Sequence, residues 1–586
     1  MNRTDHVVIA GLVLLLGAIA ILIGAPALEP AAPSPTPGPT PVDVAPYREG
    51  VLGRPVSVSP LAARTQPDRD LVALVFSGLV TRGPDGTLVP DLASHWTVDP
   101  TGKSWTFSLQ PDARWQDGKP VTADDVVYTV GILRDPAYAG PGAGSWREVT
   151  ATAVDARTVR FDLATPLGGF LELATQRIAP AHLLRDVPIE RLVDDPFGRA
   201  PVGSGPFVLT ELDDDHALLE PAASVRLGES AVDPTPAAIP SDPLGAPAPT
   251  KRPTVPEPLL PGMEFRFFDD EKALAAAFGE GELDAVSGLA PAAASDLAAS
   301  RSSEGAAAAG NVARELRYPG TTLTTVILNL RPSHPELRDP AVRLALLQAI
   351  DRPAIVADAF GSRATVADSL IPPTSWAFDA AASPPVAADA KAARAAHNKA
   401  GWKSVDGQWR PPGATKPYTL DILSPGAGMN PALYAVAEQV AAAWSEIGLA
   451  SRVVEADQAT PMAERLQKGE FAAAVADISI GHDPDLYPLL ASSQTQKGGL
   501  NVAGVQDLTL DGLLAAARRP GTDEARKAAY AALQAQLATG RYLLPIAFAD
   551  EVVVARDTLQ DVVVQPVADG SDRFWDVLTW RLANGR

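Results

Sequence analysis

Two hydrophobic periods interleave along one chain, and this restricts the fold more than any other feature. The segments Ser104-Trp105-Thr106-Phe107-Ser108-Leu109 and Thr158-Val159-Arg160-Phe161-Asp162-Leu163 alternate polar and apolar residues, the period of half-buried antiparallel strands. Helical spacing appears from Pro340 to Asp351, from Ala432 to the glycine stop at Gly448, and from Asp523 to Thr539. Short, mostly apolar runs, Thr325 to Leu328 and Phe471 to Ile478, suit strands covered on both faces of a sheet. No internal repeat of about 20–50 residues organises these segments, which excludes solenoids and propellers. An α/β body is expected, and 586 residues are enough for two or more domains.

Proline marks where that body stops. Of 56 prolines, eight fall between Pro26 and Pro46 and ten between Pro234 and Pro261. The first block reads as a semi-rigid polyproline spacer, the second as a surface insertion. Ahead of the spacer, Val7 to Gly24 is eighteen residues without a charge, preceded by Arg3. A helix of that length reaches about 27 Å, close to the thickness of a bilayer core. It is either an uncleaved anchor or a signal peptide cut near Ala25-Pro26-Ala27, and both send the body out of the cytoplasm.

The charge balance and the missing cysteine narrow the function classes. With 49 basic and 70 acidic side chains the net charge is −21, which argues against binding a phosphate backbone. The absence of cysteine removes disulfide scaffolds, thiolate metal sites, cysteine nucleophiles and a cysteine-linked lipid anchor. No HExxH, GxxxxGK[ST] or GxSxG motif is present, and Gly203-Ser204-Gly205 lacks a nucleophile-elbow context. An extracytoplasmic hydrolase would need a catalytic constellation of which the sequence gives no sign. The seven histidines are scattered, none four residues from another, so no metal site or cofactor is expected. Asp213-Asp214-Asp215-His216 reads as a solvated turn between two strands, although it carries cation-ligating groups. His482-Asp483-Pro484-Asp485 follows a buried strand, and strand ends are where α/β proteins place ligands; a plain polar turn is the competing reading.

One long stretch, Leu74 to Val130, carries GLV, PDGTLVPDLASHW, SWTF and WQDGKPVTADDVVYTV in order. It resembles the signature of the family-5 extracytoplasmic solute-binding proteins, the peptide- and nickel-binding receptors of ABC importers. Pro201 to Leu209, Phe268 to Val286, Leu328-Asn329-Leu330 with Leu337 to Val356, and the tail from Asp483-Pro484 through Asn501, Arg526, Tyr530 and Leu544-Pro545-Ile546 continue the resemblance. It departs from the family between Glu211 and Pro261, where the acidic and proline-rich run stands.

The resemblance implies a two-lobe, class II periplasmic-binding-protein-like α/β fold with an extra small α+β subdomain, preceded by the membrane helix or signal segment. Its expected parts are an anchor or signal (1–27), a tether (28–46), the first lobe (47–93, 200–329 and 545–586) with the proline-rich insertion 223–261, the inserted subdomain (94–199) and the second lobe (330–544). The lobes are expected to be joined near Asn329-Leu330 and near Leu544-Pro545-Ile546, and to close on a solute before docking on permease subunits. A short peptide is the expected solute, and a monomer the expected state. The alternative is a membrane-tethered sensor or scaffold that no longer transports. Asp483 matches the family's Asp-Pro position and is expected to meet a peptide α-ammonium, or else to serve as a turn carboxylate. Trp376, Tyr318 and Ser59 are the weaker expected ligand contacts; plain core or rim packing is their competing role.

Overall fold

The computed structural model describes residues 45–83, 86–142, 144–222, 258–300, 312–456 and 461–583. The apolar run Val7 to Gly24, the spacer as far as residue 44, and most of the insertion (223–257) lie outside them. Among the described residues no helix is long and apolar enough to cross a membrane.

Three sheets carry the body. A seven-stranded mixed sheet orders its strands Ala313–Tyr318, Glu551–Arg556, Ala285–Ser287, Tyr47–Leu52, Met263–Phe268, His216–Pro221 and Phe207–Leu212. Tyr47–Leu52 lies at its centre and pairs parallel with two neighbours, as a crossover connection through a helix requires. A six-stranded sheet orders Ala364–Val366, Leu543–Ala549, Thr322–Leu328, Ala473–Ser479, Thr419–Pro425 and Ala450–Ala456. The four-stranded antiparallel sheet of Ala93–Val98, Ser104–Leu109, Thr158–Leu163 and Val149–Asp155 contains both alternating segments read from the sequence. Their apolar positions Trp105, Phe107, Val159 and Phe161 are buried, and the rings of Phe107 and Phe161 meet edge-on at 5.5 Å.

Capping and turn side chains fix the local structure. Thr122 and Asp125 form a capping box that starts the helix Ala123–Arg134, and the carboxylate of Asp125 also accepts from the backbone N–H of Ala181. Asn430 caps the helix Pro431–Glu446, and Thr522 caps Asp523–Gly540. Asp213 to Asp215 forms the turn between Phe207–Leu212 and His216–Pro221, with Asp213 accepting from the backbone N–H groups of Asp215 and His216.

The seven-stranded sheet and the four-stranded sheet share one apolar core, and the six-stranded sheet with its helices has its own. These cores define two halves. The chain passes from the first half to the second between Tyr318 and Thr322, and returns at Asp550 between Leu543–Ala549 and Glu551–Arg556. The crossings therefore replace the positions expected near Asn329 and Leu544. Thr322–Leu328 and Leu543–Ala549 pair with each other inside the second sheet, so the change of half falls at their ends. Asn329 instead lies buried within the second half. There it donates through Nδ2 to the carbonyls of Gly469 and Phe471 and fixes the turn ahead of Ala473–Ser479. At the crossing itself, a Cβ on Gly320 would run into the carbonyl oxygen of Ala549, so the two connecting strands come this close only with glycine there.

Candidate functional site

Between the halves the backbone is braced and the side chains are charged. Thr321 N–H donates to Val567 O and Val567 N–H to Pro319 O, at 2.9 Å each, so the C-terminal segment lies along the first crossing. Arg317 reaches over to Asp550 at the second crossing, 2.6 Å away. The end of Ala473–Ser479 then delivers Ile480 to Asp483 to the boundary, and His482 Nε2 stands 3.3 Å from Asp572 Oδ2 of the first half.

Asp572 keeps 40% of its side-chain surface exposed and faces the second half through His482. Burial works to raise its pKa, but His482 and the amides of Ala568 and Asp569 outweigh burial and hold it below the ordinary carboxylate value. Arg177 lies within electrostatic reach of Asp572. It is partly exposed, burial lowers its pKa, and the opposing charges acting on it are Asp91 and Asp572. Its guanidinium makes no hydrogen bond or ion pair among the described residues. A partly exposed arginine with no such partner is a ready anion site, since its five N–H donors fit a carboxylate in a bidentate fork. Glu551, at the return crossing, is the opposite pole: burial, with Asp70, Asp569 and Glu49 nearby, lifts its pKa to about 7 against the pull of Arg573.

The structure brings two of the four expected site residues together. Asp483 accepts from Arg526 Nη2 at 2.8 and 3.1 Å and from the Tyr530 hydroxyl at 3.4 Å. The Trp376 ring covers the same guanidinium at 4.5 Å and meets Tyr530 edge-on at 5.3 Å. The cation facing Asp483 is therefore one of the protein's own. A second pair lies alongside, Arg518 Nε to Asp485 at 2.9 Å, with the Arg518 guanidinium 4.7 Å from the centre of the Tyr487 ring. Tyr318 and Ser59 lie apart from this cluster, fully buried in the first half, with hydroxyls that have no hydrogen-bond partner. Burial raises the pKa of Tyr318. Glu211, Asp213 and His216 bring one ligand-type atom each to within 4.8 Å of one another on the exposed hairpin, but both His216 nitrogens face carboxylates, as in a charged turn.

Sequence reasoning missed Arg177. Its neighbourhood has no periodicity, and its significance is that no hydrogen bond or ion pair holds it among the described residues. Missed too was Arg526 as the partner of Asp483, although both lie in segments that carry the family pattern.

Two α/β halves joined by two crossings, with charged side chains meeting at their boundary, are the architecture of a two-lobe solute-binding protein. The profile of the bacterial extracellular solute-binding proteins, family 5 Middle, matches residues 87–499, and the chain belongs to that family. Among curated relatives, the periplasmic murein peptide-binding protein MppA of Escherichia coli is 32% identical over 141 residues, covering 21% of this chain and 26% of that protein. The chain thus spans about a quarter of that relative's length in the alignment. The nickel-binding periplasmic protein of Escherichia coli is 23% identical over 88% of this chain and 91% of its own. Among solved structures, the oligopeptide-binding protein AppA of Bacillus subtilis, in complex with a nonapeptide, superposes with a TM-score of 0.69 at 21% identity, covering 92% of this chain and 100% of AppA. That likeness confirms the fold.

Proposed function

We propose that this protein is the extracytoplasmic receptor of an ABC importer and takes a short peptide between its two halves. The observation that carries the reading is Arg177: a guanidinium with no hydrogen bond or ion pair among the described residues, within electrostatic reach of Asp572, which His482 of the other half also meets. A peptide supplies a carboxylate for Arg177 and an ammonium for the acidic groups Asp572 and Glu551. Relatives named for murein peptides and oligopeptides support that class of solute. Closure over the solute would shift an open–closed equilibrium, and the closed form would dock on permease subunits. The apolar run Val7 to Gly24 and the proline spacer would hold a monomeric receptor at the outer face of the cytoplasmic membrane.

Thermal unfolding with a free-acid tripeptide, its C-terminal amide, and nickel with histidine tests the solute, since a ligand that binds only the folded state stabilises it by RT ln(1 + [L]/Kd). Stabilisation is expected from the free-acid peptide and not from the amide, with affinity reduced at least about tenfold, or 1.4 kcal/mol, in Arg177→Ala. A peptide that binds equally well with its carboxylate amidated, or no stabilisation by any peptide, would overturn the assignment.

A further inference from the structure

The Asp483–Arg526 pair does more than neutralise a carboxylate, because the other half is seated on it. The loop from Thr165 to Gly169 leaves the four-stranded sheet of the first half and lies directly over this pair. Gly168 N–H donates to Arg518 O at 2.8 Å, a main-chain bond from one half to the other. A Cβ on Gly169 would stand 2.6 Å from Asp483 Cγ, and one on Gly168 would stand 3.0 Å from Arg526 Nε and 3.1 Å from Arg519 O. Neither glycine has a positive φ in this structure, so it is the closeness of approach that excludes a side chain here. Flanking contacts follow the same line: a Cβ on Gly102 would strike the Pro520 ring, and Arg147 Nη1 donates to Gly498 O at 3.3 Å. Arg526 is held from every side, by Asp483, by the Trp376 ring and by this loop, and its Nε is buried without an acceptor.

We propose that the Thr165–Gly169 loop and the Asp483–Arg526 pair form a latch that holds the two halves closed on each other without solute. In the open form the ion pair would face water across the gap. In the closed form a backbone without side chains covers it, and the Gly168 amide finds its acceptor. The role of Asp483 is then to seat the latch, with its cation already supplied by Arg526, and solute is met at Arg177 instead. The proposal rests on the reading that the halves close on a solute, but its test needs none.

The native chain has no cysteine, so one cysteine placed at exposed Arg157 and one at exposed Lys391 take a pair of spin labels, one on each half. Distances measured on the full chain without solute should show one short population, shifted to longer distances in Gly169→Val and unchanged in Gly131→Ala, where nothing lies within 4 Å of the added Cβ. Identical distributions for the unsubstituted chain and Gly169→Val would overturn the latch. Hydrogen exchange at the Gly168 amide gives a readout in the native chain alone: protection of at least a hundredfold without peptide is expected, and exchange at the rate of an exposed amide would overturn the latch by itself. A latched chain that no peptide stabilises would leave the latch standing and defeat the peptide reading; an open chain that binds peptide would do the reverse.

Discussion

Arg573 and Arg526 pair with carboxylates in the two halves, yet the two pairs do different work. Arg573 is 1% exposed, 2.7 Å from both Glu49 and Asp70, which are 0% and 1% exposed. The three join the first strand, the first helix and the C-terminal helical turn of the first half across more than five hundred residues of sequence. Burial alone would lower the pKa of Arg573; the two carboxylates instead hold it charged, well above its ordinary value. Arg526 and Asp483 are 14% and 9% exposed and face the other half. A charge enclosed by its own half can only hold that half together. A charge at the boundary is desolvated by the partner half, so its surroundings depend on how the halves sit.

The largest expected effect breaks the first pair. Arg573→Met leaves two buried carboxylates facing each other, and losing one partner of a buried pair costs about 3–5 kcal/mol. Urea unfolding should show that loss for Arg573→Met and only about 1–2 kcal/mol for Arg526→Met, because water can reach Asp483 once the halves part. Equal losses would mean that the boundary pair is as structural as the core pair.

A second effect is read through pH. Glu551 lies at the return crossing, and its pKa stands at about 7 against an ordinary value near 4.5. The folded state therefore binds the proton more tightly than the unfolded chain, and the slope of stability with pH is negative between those values. The stabilisation is complete below pH 4.5 and is lost as pH rises through 7, about 3 kcal/mol in all. Glu551→Gln should flatten that fall between about pH 4.5 and pH 7. An unchanged profile would place the titration elsewhere, with Asp576, raised to about 6 by burial, the next group to replace.

How much of this was legible in the sequence depends on the range of the interaction. Alternation at Ser104–Leu109 and Thr158–Leu163 and the glycine stop at Gly448 act within a few residues, and the structure places them where their pattern says. The crossings were misplaced because the Asn329 motif looks like a junction, while its amide is spent on a turn inside the second half. Asp483 was legible as a strand-end carboxylate. Its cation was not, because the partner arginine lies on a helix 43 residues on, and spacing says nothing of which side chains meet across a boundary. Arg177 was invisible for the same reason in reverse: its meaning is a missing partner.

The smallest effect concerns the two expected contacts that lie inside the first half. Ser59 takes the N–H groups of Ala62 and Ala63 on its carbonyl, at 3.0 Å each, so its backbone shapes the loop whatever the side chain is. Its hydroxyl is buried without a partner, and a desolvated polar group in that state costs stability that alanine does not. Ser59→Ala should therefore raise stability by up to about 1 kcal/mol, and Tyr318→Phe should behave alike, since the Tyr318 hydroxyl is equally unpaired. Tripeptide affinity should stay within about twofold in both, because neither side chain reaches the crevice surface. A tenfold loss of affinity in Ser59→Ala at undiminished stability would show that opening the halves uncovers this loop, and would extend the binding surface from the crevice into the first half.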